Sequence, residues 1–218
     1  MLRSLKIRGN TTYLLKNDER KVFMNYSAGM TSRPFWYIEA KKTAKYMIDG
    51  LNKEEIRKII IEENIFQAPS EERANQIFNT IYRRLSSLDA IFLERITLSD
   101  VATSKILVLF SIMKTDRLFF EFMFEVYREK LILGDYTIKE RDMNVFFENK
   151  RRQSDSVSKW TEYTVQKLKA SYTRMLFESG LTPKTSGDRQ IVPVNIDYKL
   201  SGELKDKDMS AFIQCIAL

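Results

Sequence analysis

Across residues 32–180, apolar side chains recur at spacings of three and four, in runs that open on helix-capping residues and stop at glycines or polar breaks. A chain patterned in this way must bury one stripe of each segment, which commits it to helices packed on helices. The clearest run is Ala74, Ile77, Phe78, Ile81, Tyr82 and Leu85, which follows the i, i+3, i+4, i+7, i+8 template from a start at Ser70. Residues 118–127 are apolar nearly all round, with Leu118, Phe119, Phe120, Phe122, Met123, Phe124, Val126 and Tyr127. A helix of that kind belongs at the centre of a bundle.

Starts and stops divide the rest. Thr31 or Ser32 caps a helix with Pro34 in its first turn and Gly50 as its stop. Asn52 with Glu55 forms a capping box ahead of Ile56, Ile59 and Ile60. Ser99 and Asp100 open a helix to about Thr115, and Asp116 opens another to Leu133, before Gly134. Thr137 with Glu140 predicts a further capping box, leading into Lys150, Arg151 and Arg152. A polar hinge at residues 154–156 precedes a long helix ending at Ser179 and Gly180, with Val157, Trp160, Thr164, Leu168, Tyr172 and Met175 on its buried stripe.

Beyond Gly180 the character changes. Pro183, Gly187, Pro193 and Gly202 interrupt a tract in which Ile191, Val192, Val194, Ile196, Tyr198 and Leu200 predict short strands in a small hairpin. A short amphipathic helix from about Lys207 to Ala217 closes the chain. The fold class expected is therefore mainly α: a basic arm over residues 1–30, a compact helical bundle over 31–180, and a small β-hairpin and helix appendage over 181–218 packed on the bundle.

Charge adds a functional constraint. Lys and Arg number 36 against 29 Asp and Glu, a surplus of seven, and histidine is absent. The surplus draws the chain toward polyanions, while the missing imidazole removes the commonest general base and metal ligand. A single cysteine, Cys215, excludes an intrachain disulfide and a Cys/His zinc site, and predicts a reducing, cytoplasmic setting. The apolar run at residues 106–113 falls far short of the roughly 20 residues needed to cross a bilayer. Residues 1–15 lack the apolar block of a signal peptide, so no export and no membrane association are expected.

The surplus is local. Residues 1–33 hold seven basic and two acidic side chains, a net of +5, and residues 136–180 hold nine and six, a net of +3. On the last long helix Lys159, Tyr163, Lys167 and Arg174 recur at intervals of four, four and seven on one flank, with Lys150, Arg151 and Arg152 just before it. Cations so spaced can each neutralise a backbone phosphate, and a tyrosine hydroxyl can donate to another. A second candidate is the tract at residues 26–35 (YSAGMTSRPF), which brings hydroxyls and Arg33 to a helix start, with Arg8 in the arm before it. The blander readings are a solvated helix face and an ordinary turn.

Catalytic patterns are sparse. Asp197, Glu203 and Lys205 superficially resemble the acid pair and lysine of metal-dependent nucleases, but Gly202 interrupts the second strand such a site needs. Glu71 and Glu72 suit a helix first turn. No glycine-rich phosphate loop, dinucleotide fingerprint or nucleophile elbow occurs, so no cofactor is expected. Cys215, among Ile213, Ile216 and Leu218, reads as a core residue.

Residues 26–35, residues 63–73 (ENIFQAPSEER) and residues 114–130 (KTDRLFFEFMFEVYREK), with Leu133, Gly134 and Asp135 behind them, resemble the BrxA family of bacterial BREX phage-defence systems. That resemblance implies a compact, mainly helical protein of the NusB type, an electropositive surface that binds double-stranded DNA, no catalytic activity, and other BREX components as partners. RNA is the alternative polyanion, since exposed Tyr163, Tyr13 or Phe23 can stack on unpaired bases. An adaptor role, with the basic face serving an acidic protein, is the alternative of a different class.

Overall fold

The structure, a computed structural model, describes residues 25–217. It is mainly α, as the periodicity demands. Helices α1 (Tyr37–Ile48), α2 (Lys53–Glu62), α3 (Glu71–Leu85), α4 (Ala90–Leu98) and α5 (Val101–Thr115) form one packed group, with α1 against α3 and α4, and α5 against α3 and α4. Then come α6 (Arg117–Phe122), a π-helical turn (Met123–Tyr127), α7 (Arg128–Ile132), α8 (Glu140–Gln153), the short α9 (Asp155–Ser158) and the long α10 (Glu162–Glu178). Helices α11 (Tyr198–Asp206) and α12 (Ser210–Ile216) end the chain. Among the described residues no helix is long and apolar enough to cross a membrane.

Several starts follow the chemistry expected of them. Asn52 Oδ1 accepts from the N–H groups of Glu54 and Glu55 at 3.0 and 3.1 Å, and Glu55 accepts from the Asn52 N–H at 2.7 Å. Ser70, Asp100 and Asp116 cap α3, α5 and α6 through their side chains. The α3 stripe of Ala74, Ile77, Phe78, Ile81 and Leu85 is buried.

The first helix differs from expectation. It begins at Tyr37, and Gly29–Ser32 instead form a separate 3-10 turn. Pro34 disfavours helical backbone at the residue before it, and Arg33 accordingly lies outside the helical region at φ −121°, ψ 82°. Trp36 then adopts a left-handed conformation with φ 52°, its ring flanked by the guanidinium groups of Arg73 and Arg84 at 5.5 and 5.7 Å. The Thr137 and Glu140 capping box is also replaced: Asp142 accepts from the Lys139 N–H at 2.8 Å, while Thr137–Ile138 form strand β1.

The tail makes no hairpin of its own. Strand β2 (Arg189–Gln190) pairs antiparallel with β1, Thr137 opposite Gln190 and Ile138 opposite Arg189. Residues 198–206, read as strand from Tyr198 and Leu200, form α11 instead, capped by Asp197 and burying Leu200 and Leu204 at helical spacing. Alternation over so short a run does not separate the two periods. Phe212 of α12 lies 6.0 Å from Phe110 and 5.3 Å from Phe120, ring centre to ring centre, so the tail shares the bundle core.

Tyr172 of α10 organises the centre, with ring centres of Phe119, Phe122 and Phe147 at 5.0, 5.2 and 5.7 Å. These contacts tie α10 to α6 and α8 and thereby fix which flank of α10 faces outward.

Candidate nucleic-acid interface

The Tyr26–Phe35 tract and the late basic helix, far apart in sequence, meet in space. The 3-10 turn packs on α10. Arg84, buried in α3, holds that tract in place, donating to Pro34 O at 2.8 Å and Arg33 O at 3.1 Å. Burial, followed by repulsion from Arg83, lowers the Arg84 pKa to about 9, with Asp116 opposing; the group stays charged at neutral pH. Gly29 provides the other close fit, because a β-carbon there would lie 2.6 Å from the Arg33 guanidinium.

Between the turn and α10 lies a groove of about 760 Å³. Thr31, Ser32 and Pro34 form one wall, Lys167, Thr173 and Arg174 another, and Thr185, Ser186 and Gly187 close an end. Five cationic side chains line it (Arg73, Lys167, Lys169, Arg174 and Arg189) against one carboxylate, Glu140. Such concave, single-signed surroundings focus potential on an incoming anion.

On the outer flank of α10, Tyr163 is 70% exposed, with the Lys167 ammonium 5.3 Å above its ring. Arg174 is exposed and pairs loosely with Glu178 at 3.4 Å. Arg152, at the end of α8, is 73% exposed beside Glu148. Lys159 is exposed too, but it ends α9 rather than lying on α10, because Thr161 caps the long helix and starts a new turn count. Val157 and Trp160 precede α10 for the same reason.

Two of the basic residues expected at the surface do other work. Lys150 is 2% exposed, its ammonium 2.6 Å from both Glu121 and Glu125, so burial removes it from any phosphate. Arg151 pairs with Glu162 and donates to Trp160 O at 3.2 Å, stitching the end of α8 to the start of α10. Arg33 is half-buried against Gly29. Arg8, Tyr13 and Phe23 lie outside the described residues.

Arg73, Lys169 and Arg189 were not legible as site residues. Arg73 sits in a first helical turn, Lys169 lies two residues from Lys167 on the inner edge of α10, and Arg189 arrives from the tail. Only the fold brings them together.

The acids considered for nuclease chemistry are occupied structurally. Asp197 accepts from the Leu200 N–H at 2.9 Å, and Glu203 receives two bonds from Arg95, at 2.5 and 2.6 Å. Among the described residues no group of three or more carboxylates, Cys or His is placed to hold a metal ion. Cys215 is buried, and burial pushes its thiol pKa up.

The family model BrxA matches residues 24–208. The chain belongs to the BrxA family. A BrxA relative from Bacillus cereus (strain H3081.97), named BREX protein BrxA, is 43% identical over 166 residues, covering 76% of this chain and 83% of that protein. The fold recurs in the crystal structure of an uncharacterized protein from Magnetospirillum magneticum, with a TM-score of 0.75 and 19% identity over 88% of this chain and 98% of that one. The family match spans both walls of the basic groove, from the turn at Gly29 to Arg189.

Proposed function

We propose that this BrxA-family chain is a non-enzymatic, double-stranded DNA-binding component of a BREX phage-defence system. The observation that carries the reading is the convergence of the residue 26–35 tract and α10 on one groove with five cations and a single carboxylate. Lys167 and Arg174 of that groove, with the exposed Arg152 and Lys159, are each able to displace a counterion from a phosphate. Arg8 and Arg33 remain part of the proposal as contributions from the N-terminal side.

Fluorescence anisotropy with a labelled duplex across a salt series tests it. Affinity should fall steeply as salt rises, and joint reversal of Arg152, Lys159, Lys167 and Arg174 to Glu should weaken binding by on the order of 100-fold or more while flattening the salt slope. Tight binding indifferent to salt, or none, defeats the proposal.

A second reading is favoured by the exposed Leu98, Val101, Val192 and Tyr198, apolar groups that suit a protein partner. An adaptor of this kind would copurify with neighbouring BREX components after nuclease treatment.

A further inference from the structure

In the lining of the groove, Glu140 bridges two cations that are themselves nearly sealed from water. Its Oε1 lies 3.4 Å from Lys169 Nζ and its Oε2 lies 3.5 Å from Arg189 Nη2, while the side chains of Lys169 and Arg189 are only 9% and 7% exposed. Both separations exceed the 2.7–2.9 Å of a close charge-assisted bond. One carboxylate therefore spans both cations without closing tightly on either.

The guanidinium of Arg189 is also unfinished. Its Nε donates to Thr185 O at 3.0 Å, but Nη1 is buried without a hydrogen-bond partner among the described residues. Leaving such a donor unmet is costly, and an ion or water seated beside it is one way a native fold meets that cost. Lys169 has a second partner in Asn144, which fixes its ammonium in place. The end of the groove bears hydroxyls of Thr185 and Ser186, with the Lys184 ammonium 3.8 Å from where a β-carbon on Gly187 would stand.

We infer that Glu140 stands in the seat of a phosphate group, which on binding displaces that carboxylate and bridges Lys169 and Arg189. A tetrahedral anion offers more acceptor oxygens than a carboxylate, so it can reach both cations and serve more than one donor of the Arg189 fork. Glu140 is the movable member, since its side chain is 55% exposed while Lys169 is bonded to Asn144 and Arg189 to Thr185 O. Its presence keeps the seat from being an uncompensated pair of buried charges when empty. The inference deepens the nucleic-acid reading of the same groove and rests on it only for where the phosphate comes from, a strand terminus or a backbone.

The test is titration of the full chain with inorganic phosphate at constant ionic strength, followed by ³¹P NMR. Saturable binding is expected, tightened about tenfold in E140Q, where the competing charge is gone, and lost in R189Q. R189K should fall between, keeping the charge without the fork. Circular dichroism checks each fold, and E140Q carries the test if R189Q does not fold. Absence of saturable binding in both the unaltered chain and E140Q, or equal affinity in the two, overturns the seat.

Matched single strands with a 5′-phosphate or a 5′-hydroxyl then separate the sources. A terminal phosphate makes the phosphorylated strand bind tighter in E140Q and equal in R189Q, whereas a backbone phosphate makes both strands weaken together in R189Q. Phosphate binding without duplex binding defeats the DNA reading and leaves the seat. Duplex binding without phosphate binding defeats the seat alone.

Discussion

Lys150 and Arg152 are two residues apart in one basic run and meet opposite fates. Lys150 is 2% exposed and shared between Glu121 and Glu125, whereas the Arg152 side chain is 73% exposed beside a single surface glutamate. Two residues turn a helix by about 200°, so neighbours in such a run point to opposite faces of α8. Around Lys150 the charges are satisfied inward: Tyr26 donates to Glu121 at 2.9 Å, Arg117 pairs with the same carboxylate at 2.7 Å, and the Arg117 guanidinium stacks 4.3 Å from the Tyr26 ring. The outer flank of α10 instead carries its cations to solvent. Like residues are structural in one place and available in the other, and burial decides which.

The largest effect should come from breaking the buried cluster. K150M removes the buried cation that Glu121 and Glu125 share and should cost about 3 kcal/mol of stability in chemical denaturation, with DNA affinity of the folded fraction unchanged. The fourfold reversal of exposed cations should do the opposite, weakening affinity by on the order of 100-fold or more while costing about 0.5 kcal/mol or less of stability per substitution. If K150M instead lost binding at full stability, the division between the two regions would be wrong.

A pH series sharpens the same contrast. The Tyr26 phenol is pushed up, first by burial and then by the Glu121 carboxylate, and burial raises Tyr127 and Tyr172 as well. A raised folded-state value means the folded chain holds its phenol proton after the unfolded chain has lost it, so stability should decline as pH rises past about 10. Denaturation at pH 8 and pH 11 should show that loss, reduced but not removed in Y26F. The smallest effect is expected at Tyr163. Y163A should leave stability within about 0.5 kcal/mol and spare duplex binding, but weaken single strands by about 1 kcal/mol if the ring stacks on bases.

Much of the helical scaffold was legible because caps and stripes act locally. Asn52, Ser70, Asp100 and Asp116 each start a helix by accepting bonds from N–H groups two or three residues on, a relation contained in the sequence. Local pattern fails where a run is too short to separate the two periods, as at residues 198–206, or where distant groups intervene. Strand β2 pairs with a segment about 50 residues earlier, so nothing near Arg189 announces its partner. The start of α1 depends on Pro34 locally, but the left-handed Trp36 is flanked by two arginines of α3.

The site divides along the same line. Tyr163, Lys167 and Arg174 were readable as one flank because four- and seven-residue intervals repeat a helical face. The burial of Lys150 is not legible in this way, because charge alone does not state burial and its carboxylates come from α6 and the π-helical turn.

By itself, the sequence determined a mainly helical chain, the positions of most helix starts, and two local excesses of positive charge, all properties of neighbouring residues. Only the tertiary structure decided that residues 26–35 and α10 enclose one groove, that Lys150 lies inside, and that Lys169 and Arg189 share Glu140. Those outcomes depend on which distant faces pack together, and desolvation then turns identical side chains into either buried struts or exposed binding groups.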